Sequence, residues 1–290
     1  VFYTYLVRNK IWWIRQKQRT SKNFLDGAAE GRQRILQGDF PEYIIKQFID
    51  LLDYFGQSPI IVRSSSLLED NYGNAFAGKY ESFFCTNQGT RQQRLNEFTN
   101  AIRKIYASSM GEDALMYREK WGLLEKDEPM GLLVQRVSGG PHGRYFYPQA
   151  AGVALSFNPF VWNEDIDPKA GMIRLVFGLG TRAVDRNDDD YARIVALNAP
   201  SKTPESSESA KKYTQQKVDC IDLEAREFAT KQFSEIIPSS NDDSLMLDLF
   251  ASRDREMEKR AAQLGRKDIF SLSLTFEKLL EKTEFAKEMR

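Results

Sequence analysis

The stretch that most restricts how this chain can fold runs from Ser58 to Cys85, SPIIVRSSSLLEDNYGNAFAGKYESFFC. The apolar run Ile60-Ile61-Val62 reads as a short buried strand entered through Pro59. That strand delivers Arg63 and then three hydroxyls, Ser64, Ser65 and Ser66, before a polar loop containing Gly73 and Gly78. A second strand-like run follows from Glu81 to Cys85. A guanidinium held by a strand, hydroxyls and a glycine loop can together hold a polyphosphate, because the guanidinium offers several planar donors and glycine lets backbone N–H groups come close. A surface hairpin with an ordinary exposed arginine has the same spacing, so spacing alone does not choose.

Around this hairpin the chain alternates helical and β-rich patterns. Residues 1–57 read as a helical lead-in. Phe2, Tyr5, Leu6, Trp12 and Trp13 are too apolar for a free surface, and the tryptophans read as core rather than as base-stacking residues. Pro41 opens a helix whose Ile44, Phe48, Leu51, Leu52 and Phe55 recur at helical spacing until Gly56 stops it. Arg91 to Ser109 is amphipathic, with Leu95, Phe98, Ile102 and Tyr106 along one face, and Asp113 to Trp121 continues helically. Strand-like runs at 59–64, 81–86, 130–137, 150–157 and 172–178 are expected to form one mixed or antiparallel sheet flanked by helices, an α+β (mixed α/β) arrangement. The expected division is 1–57 lead-in, 58–198 α/β core, and 199–290 a flexible link, a polar hairpin and C-terminal helices. In that last part 199–212 is the link, KVDCIDL and FATKQFSEII form the hairpin, and the tail from Asp243 is largely helical with Ser273 or Thr275 as a cap.

Composition excludes several classes. Lys plus Arg and Asp plus Glu both number 41, so there is no global basic field for nucleic acid or an anionic membrane. No apolar run approaches a membrane span and nothing at the start resembles a signal peptide, so cytoplasmic location is the expectation. Cys85, Cys220 and the single histidine, His142, lack metal-ligand spacing. Consecutive acids at Asp188-Asp189-Asp190 point in different directions and read as solvated, as do the loop arginines Arg182 and Arg186.

The run VRSSSLLEDNYGNAFAGKYESFF resembles the nucleotide-binding domain of the phosphoenolpyruvate synthase and pyruvate phosphate dikinase family. The family pattern is V-R-S-S-A-x-x-E-D, a loop, then F-A-G-x-x-x-T-F. Arg63, Ser64, Ser65, Glu69, Asp70, Phe76, Ala77, Gly78 and Phe83 fall into register, and Ser82 stands for the usual Thr. Further matches are Tyr117, Arg118 and Gly122, the strand MGLLVQRVS, AAGVALS, and the Gly178-Leu179-Gly180 triplet. The resemblance implies an ATP-grasp-like domain that binds ATP with Mg2+ in an ATP-dependent phosphotransferase. It implies Arg63, Gly78 and Ser82 at the phosphates, with Arg63 taking the catalytic part, and Gln135 and Val137 at the adenine. It also implies residues 71–80 as a loop folding over the triphosphate. Read from the residues alone, Gln135 is an outward-facing residue of a buried strand, and Gly178 and Gly180 either approach a ligand or make a turn.

The implied partners are a swivelling phosphohistidine domain and an acceptor-binding domain of the same parent protein, with no nucleic acid and no membrane. His142 sits in a glycine-rich loop and is not the phosphocarrier. The family's G-G-K-x-x-x-L motif and its D-I-E and L-Q-x-R-P strands, which carry the magnesium ligands, do not occur in the sequence. The chain is therefore expected to be a slice with little catalysis of its own and with its metal ligands elsewhere. Thr181 stands where phosphoenolpyruvate synthases carry Glu. That departure keeps two other readings open, a non-catalytic nucleotide-binding regulatory module and a dikinase acting on a drug or glucan.

Overall fold

The computed structural model describes residues 1–69, 80–184, 190–203, 213–237, 246–266 and 272–289. The chain forms two compact units, Val1–Val137 with Ala225–Glu227, and Ser138–Glu224 with Phe228–Arg290. Helices and antiparallel sheets occur in both, so the fold class is mixed α+β.

In the first unit the lead-in folds as α1 (Phe2–Arg8), α2 (Trp12–Lys17), α3 (Ala28–Gln37) and α4 (Glu42–Phe55). The apolar spacing of α4 does what the sequence implies: Ile44, Phe48, Leu52 and Phe55 are buried, and Gly56 ends the helix with φ +63°. Helix α5 (Arg91–Ser108) starts in a capping box, in which the Thr90 side chain accepts from the Gln93 N–H and the Gln93 side chain answers at the Thr90 N–H. Its Arg94 donates to the Leu52 and Gly56 carbonyls at 3.0 and 2.7 Å, satisfying acceptors that the end of α4 leaves open. Phe98, Ile102, Ile105 and Tyr106 of α5 then join Tyr5, Leu6, Ile35, Ile44 and Leu52 in one apolar core. Trp13 departs from the sequence reading. It is 71% exposed, because Ile11 and Arg15, two residues to either side, take the inward positions of α2.

Beside α5 lies a three-stranded sheet of β1 (Ile60–Ser65), β2 (Ser82–Cys85) and β3 (Gly131–Arg136), in the order β2-β1-β3 with both pairings antiparallel. Ile60 and Val62 are fully buried, while Arg63 and Ser65 on the opposite face are exposed. This is the period-2 alternation of a sheet with one covered face. Strand β3 was expected to be buried. It alternates instead, and Leu133 is 45% exposed on the open side.

The second unit holds β4 (Gly140–His142), β5 (Tyr145–Tyr147), β6 (Ala151–Leu155), β7 (Met172–Val176), β8 (Arg193–Ala196), β9 (Lys217–Asp222), β10 (Glu227–Gln232), β11 (Ala251–Arg253) and β12 (Leu272–Leu274). They form sheets ordered β10-β9-β5-β4, β6-β7-β8 and β11-β12. The five runs expected in one sheet are thus divided, three in the β2-β1-β3 sheet and two, β6 and β7, in a separate antiparallel sheet. Alternation fixes which face of a strand is buried but not which strand lies beside it, so the sequence pattern could not separate them. The polar hairpin is present as neighbouring β9 and β10. The tail is less helical than expected, since β11 and β12 pair within it. Thr275 caps nothing: its hydroxyl donates to Ser252 at 3.1 Å, and Phe276, with φ +56°, precedes the following helix.

Cys85 and Cys220 are both free and buried, and burial is the main cause that pushes both thiol pKa values up, that of Cys220 to about 12. In the native protein neither thiol is expected to react with a disulfide reagent at pH 8. Both should react once the chain is unfolded, and rapid native labelling of either would contradict this packing.

Candidate functional site

The antiparallel register decides which side chains share the open face of the first sheet. Arg63 faces Ser82 on β2 and Leu133 on β3, and Ile61 faces Phe84 and Gln135. Because residues directly opposite point the same way, Arg63, Ser82 and Gln135 lie on one face, with Ser65 one step beyond Arg63. Arg63, Ser65, Ser82 and Gln135 are all exposed. Three of the five residues singled out from the sequence are therefore brought together by two strand pairings.

Val137 continues the same strand, and its N–H donates to the Pro59 carbonyl at 2.9 Å. Proline has no N–H to return that bond, so the ladder leaves the Val137 carbonyl without its usual partner. Gly78, the fifth residue, lies outside the described residues, as do Gly73, Asp70, Phe76 and Ala77 and all but the last residue of the expected loop 71–80.

The hydroxyl run divides by function. Ser64 donates to Glu69 at 2.6 Å, and the Ser66 N–H donates to the other oxygen of the same carboxylate at 2.8 Å, closing the turn that ends β1. The Ser66 hydroxyl donates to the Glu128 carboxylate and accepts from the Leu68 N–H at 3.1 Å. Of the three serines, Ser65 alone sits on the face of Arg63.

Glu128 had no signal in the sequence, standing between a charged turn and Pro129. It is 1% exposed, and its carboxylate also takes the Tyr80 hydroxyl at 2.6 Å and pairs with Arg118 at 3.1 Å. Its main-chain carbonyl accepts from Arg15 at 3.1 Å. Burial first, and then the charge of Glu128, raises the pKa of the Tyr80 phenol, so that it remains a hydrogen-bond donor. Tyr80, the one described residue of the expected phosphate loop, is therefore a buried anchor.

In the second unit, Gly178 (φ +93°) has a packing reason. A Cβ there would lie 2.5 Å from Val218 and 2.7 Å from the Asp219 carbonyl oxygen, so the triplet is shaped by contact with β9. The adjacent Thr181 and Arg182 are also committed internally. The Thr181 hydroxyl donates to the buried Asp219 at 2.6 Å, and Thr230 donates to the other carboxylate oxygen at 2.7 Å. Arg182 pairs with Asp190 at 3.3 Å and with Asp219 at 3.4 Å.

Two sequence expectations are thereby corrected. Arg182 is buried rather than a loop arginine in solvent, and the Asp190 side chain is covered rather than solvated, its carboxylate accepting the N–H groups of Tyr191, Gln216 and Lys217 at 2.7–2.9 Å. Asp188, Asp189 and Arg186 lie outside the described residues. His142 is on β4, its ring 4.5 Å from that of Tyr147. Among the described residues no three His, Cys, Asp or Glu side chains gather as a metal site requires, and no helix is long and apolar enough to cross a membrane.

An exposed arginine thus lies beside hydroxyls and an amide on one open sheet face, and comparison with known proteins defines the class to which the chain belongs. The chain belongs to the family of the pyruvate phosphate dikinase AMP/ATP-binding domain, whose sequence model matches residues 2–259. It is 27% identical to rifampicin phosphotransferase of Bacillus subtilis (strain 168) over 154 residues, 53% of this chain and 16% of the relative. It is also 27% identical over 172 residues to the uncharacterized phosphotransferase YvkC of the same organism, 59% of this chain and 18% of the relative. The chain thus spans less than a fifth of the length of these curated relatives.

Because Glu128 is bonded to Arg118, Ser66 and Tyr80 together, Glu128→Ala should destabilise the first unit by about 3–5 kcal/mol, the cost of leaving a buried charge without its partner. Urea unfolding followed by tryptophan fluorescence checks this. A loss under 1 kcal/mol would mean that the pair is far more hydrated than its burial indicates.

Proposed function

We propose that the open face of the first sheet receives ATP, as the nucleotide site of an ATP-dependent phosphotransferase. Arg63 contacts the phosphates, with the Ser65 and Ser82 hydroxyls beside it, and the Gln135 amide and the Val137 carbonyl meet the adenine. The observation that carries this reading is the register that sets Arg63, Ser82 and Gln135 on one exposed face in a chain of an AMP/ATP-binding family. A guanidinium makes paired, charge-assisted hydrogen bonds to phosphate oxygens. Gln135 is two residues along β3 from Leu133, the residue opposite Arg63, a separation of about 7 Å along the strand. A nucleotide laid along β3 thus meets the cation before the amide.

The Val137 carbonyl offers an acceptor to the adenine amino group, whereas guanine presents an oxygen at the same edge. The Val137 N–H is engaged by Pro59, so base recognition here is through the carbonyl rather than through a pair of main-chain groups. The fold that would hold the nucleotide is the ATP-grasp arrangement.

In the parent protein the γ- or β-phosphoryl group would pass to a carrier histidine in another domain and then to pyruvate or another acceptor. Magnesium would accompany the phosphates, held by carboxylate and amide ligands outside this chain. The described residues offer no such cluster, and no step of this reading is routed through a metal held here. A second reading, a nucleotide-binding module without turnover, is favoured by one observation: Thr181, where a synthase has Glu, is hydrogen-bonded to Asp219.

A charge-assisted hydrogen bond contributes about 1.5–3 kcal/mol, so Arg63→Ala should weaken ATP binding at least roughly tenfold, with Arg63→Lys recovering only part. Gln135→Ala should chiefly reduce the preference for ATP over GTP. Calorimetric titration and phosphotransfer assays on the intact parent test both. Unchanged ATP affinity in folded Arg63→Ala protein would refute the assignment, and ATP binding without any transfer would select the second reading.

A further inference from the structure

We propose that the first unit contains a small-anion site, of the size of chloride, between α2, α6 (Glu112–Lys120) and the turn before β3. A cavity of about 10 Å³, room for one water-sized particle, is lined there by Arg15, Gln18, Arg19, Arg118, Lys126 and Asp127, with Leu115 and Leu124 completing the wall. Four of these side chains are cations and one is an anion. Asp127 is engaged by Arg19 at 3.6 Å, and the neighbouring carboxylate of Glu128 is taken up by Arg118, Ser66 and Tyr80. Positive charge is therefore in excess around this space, which has buried Arg15 and Arg118 at one side and exposed Lys126 and Asp127 at its rim.

Two of the lining cations are buried and keep a donor without a partner or a charge without a paired carboxylate among the described residues. Arg118 is 5% exposed, with Nη1 on Glu128 and Nη2 on the Leu123 and Lys126 carbonyls. Its Nε–H is buried and has no hydrogen-bond partner among the described residues. A buried donor on a charged group carries a substantial desolvation cost unless something accepts from it. Arg15, 8% exposed, donates to the Glu128 main-chain carbonyl, which leaves its charge without a paired carboxylate. Burial first, and then the neighbouring charge of Arg118, lower its pKa against the opposing charge of Glu128. A halide accepts several N–H donors without directional demand, and one such ion would offset this excess charge. A space this small leaves no room for an ion as large as phosphate.

The site is separate from the face proposed for ATP, and its test needs no nucleotide. Thermal unfolding of the intact protein is compared in sodium chloride, sodium phosphate and sodium gluconate at equal ionic strength. Chloride should raise the melting temperature over gluconate by about 2–4 °C, as a ligand present above its Kd does for a protein of this size. Arg118→Ala is unsuitable because it also releases Glu128. The exposed rim variant Arg19→Gln/Lys126→Gln is used instead, and should lose at least half of the chloride increment while melting normally in gluconate. Crystals soaked in bromide should show an anomalous peak beside Arg118 Nε. Equal melting in chloride and gluconate, an undiminished increment in the rim variant, stabilisation by phosphate alone, or no bromide peak would each overturn the proposal.

Discussion

The first unit depends on one buried carboxylate. Glu128 joins the end of β1 through Ser66, the approach to β2 through Tyr80, α6 through Arg118 and, by its main-chain carbonyl, α2 through Arg15. Four segments far apart in sequence thus meet at one residue just ahead of β3. Such a pair adds little net stability, because desolvating two charges offsets most of their attraction. Its effect is specificity. A competing packing that separates Glu128 from Arg118 leaves a bare charge in the core, so the arrangement that places β1 beside β3 is selected against its alternatives. The open face of the sheet inherits its geometry from that selection.

What could be read from the sequence was what neighbouring residues decide. The apolar spacing of α4, the amphipathic α5, the β1 and β2 runs around the serines and the β9–β10 hairpin all follow from local periodicity and turn chemistry, and each is present. The same alternation put Arg63 on the side opposite Ile60 and Val62. The rest rests on partners distant in the chain. Whether β7 pairs with β6 and β8 or joins β1 is a choice among strands with similar patterns. Arg182 looked like a loop arginine because its two carboxylates, Asp190 and Asp219, lie 8 and 37 positions away. Glu128 was invisible for the same reason, its partners ranging from Arg15 to Tyr80 and Arg118. Trp13 is exposed although apolar, because in so short a helix register rather than hydrophobicity decides which side chains turn inward, and Arg15 holds the inward position.

The family motif also carries less chemistry per residue than its wording suggests. Of Val62 to Ser66, Val62 is core, Ser64 and Ser66 hold the turn through Glu69 and Glu128, and only Arg63 and Ser65 face outward. Most of the motif is thus scaffolding that fixes where one guanidinium begins. The Gly178-Leu179-Gly180 triplet is similar, since Gly178 is required by Val218 and the Asp219 carbonyl whatever lies in solvent beyond.

Thr181 then becomes intelligible as a local consequence rather than as an isolated loss. Its hydroxyl shares Asp219 with Thr230 and Arg182, so the carboxylate is fully engaged in a buried setting. A glutamate at 181 would set a second negative charge against Asp219. A like charge nearby disfavours ionisation of either carboxylate, and Arg182, already divided between Asp219 and Asp190, is not free to offset a third. Restoring the family's acid would therefore require a change at Asp219 or Asp190 as well. The residues at 181, 190 and 219 form one electrostatic unit, and the departure at Thr181 belongs to that unit.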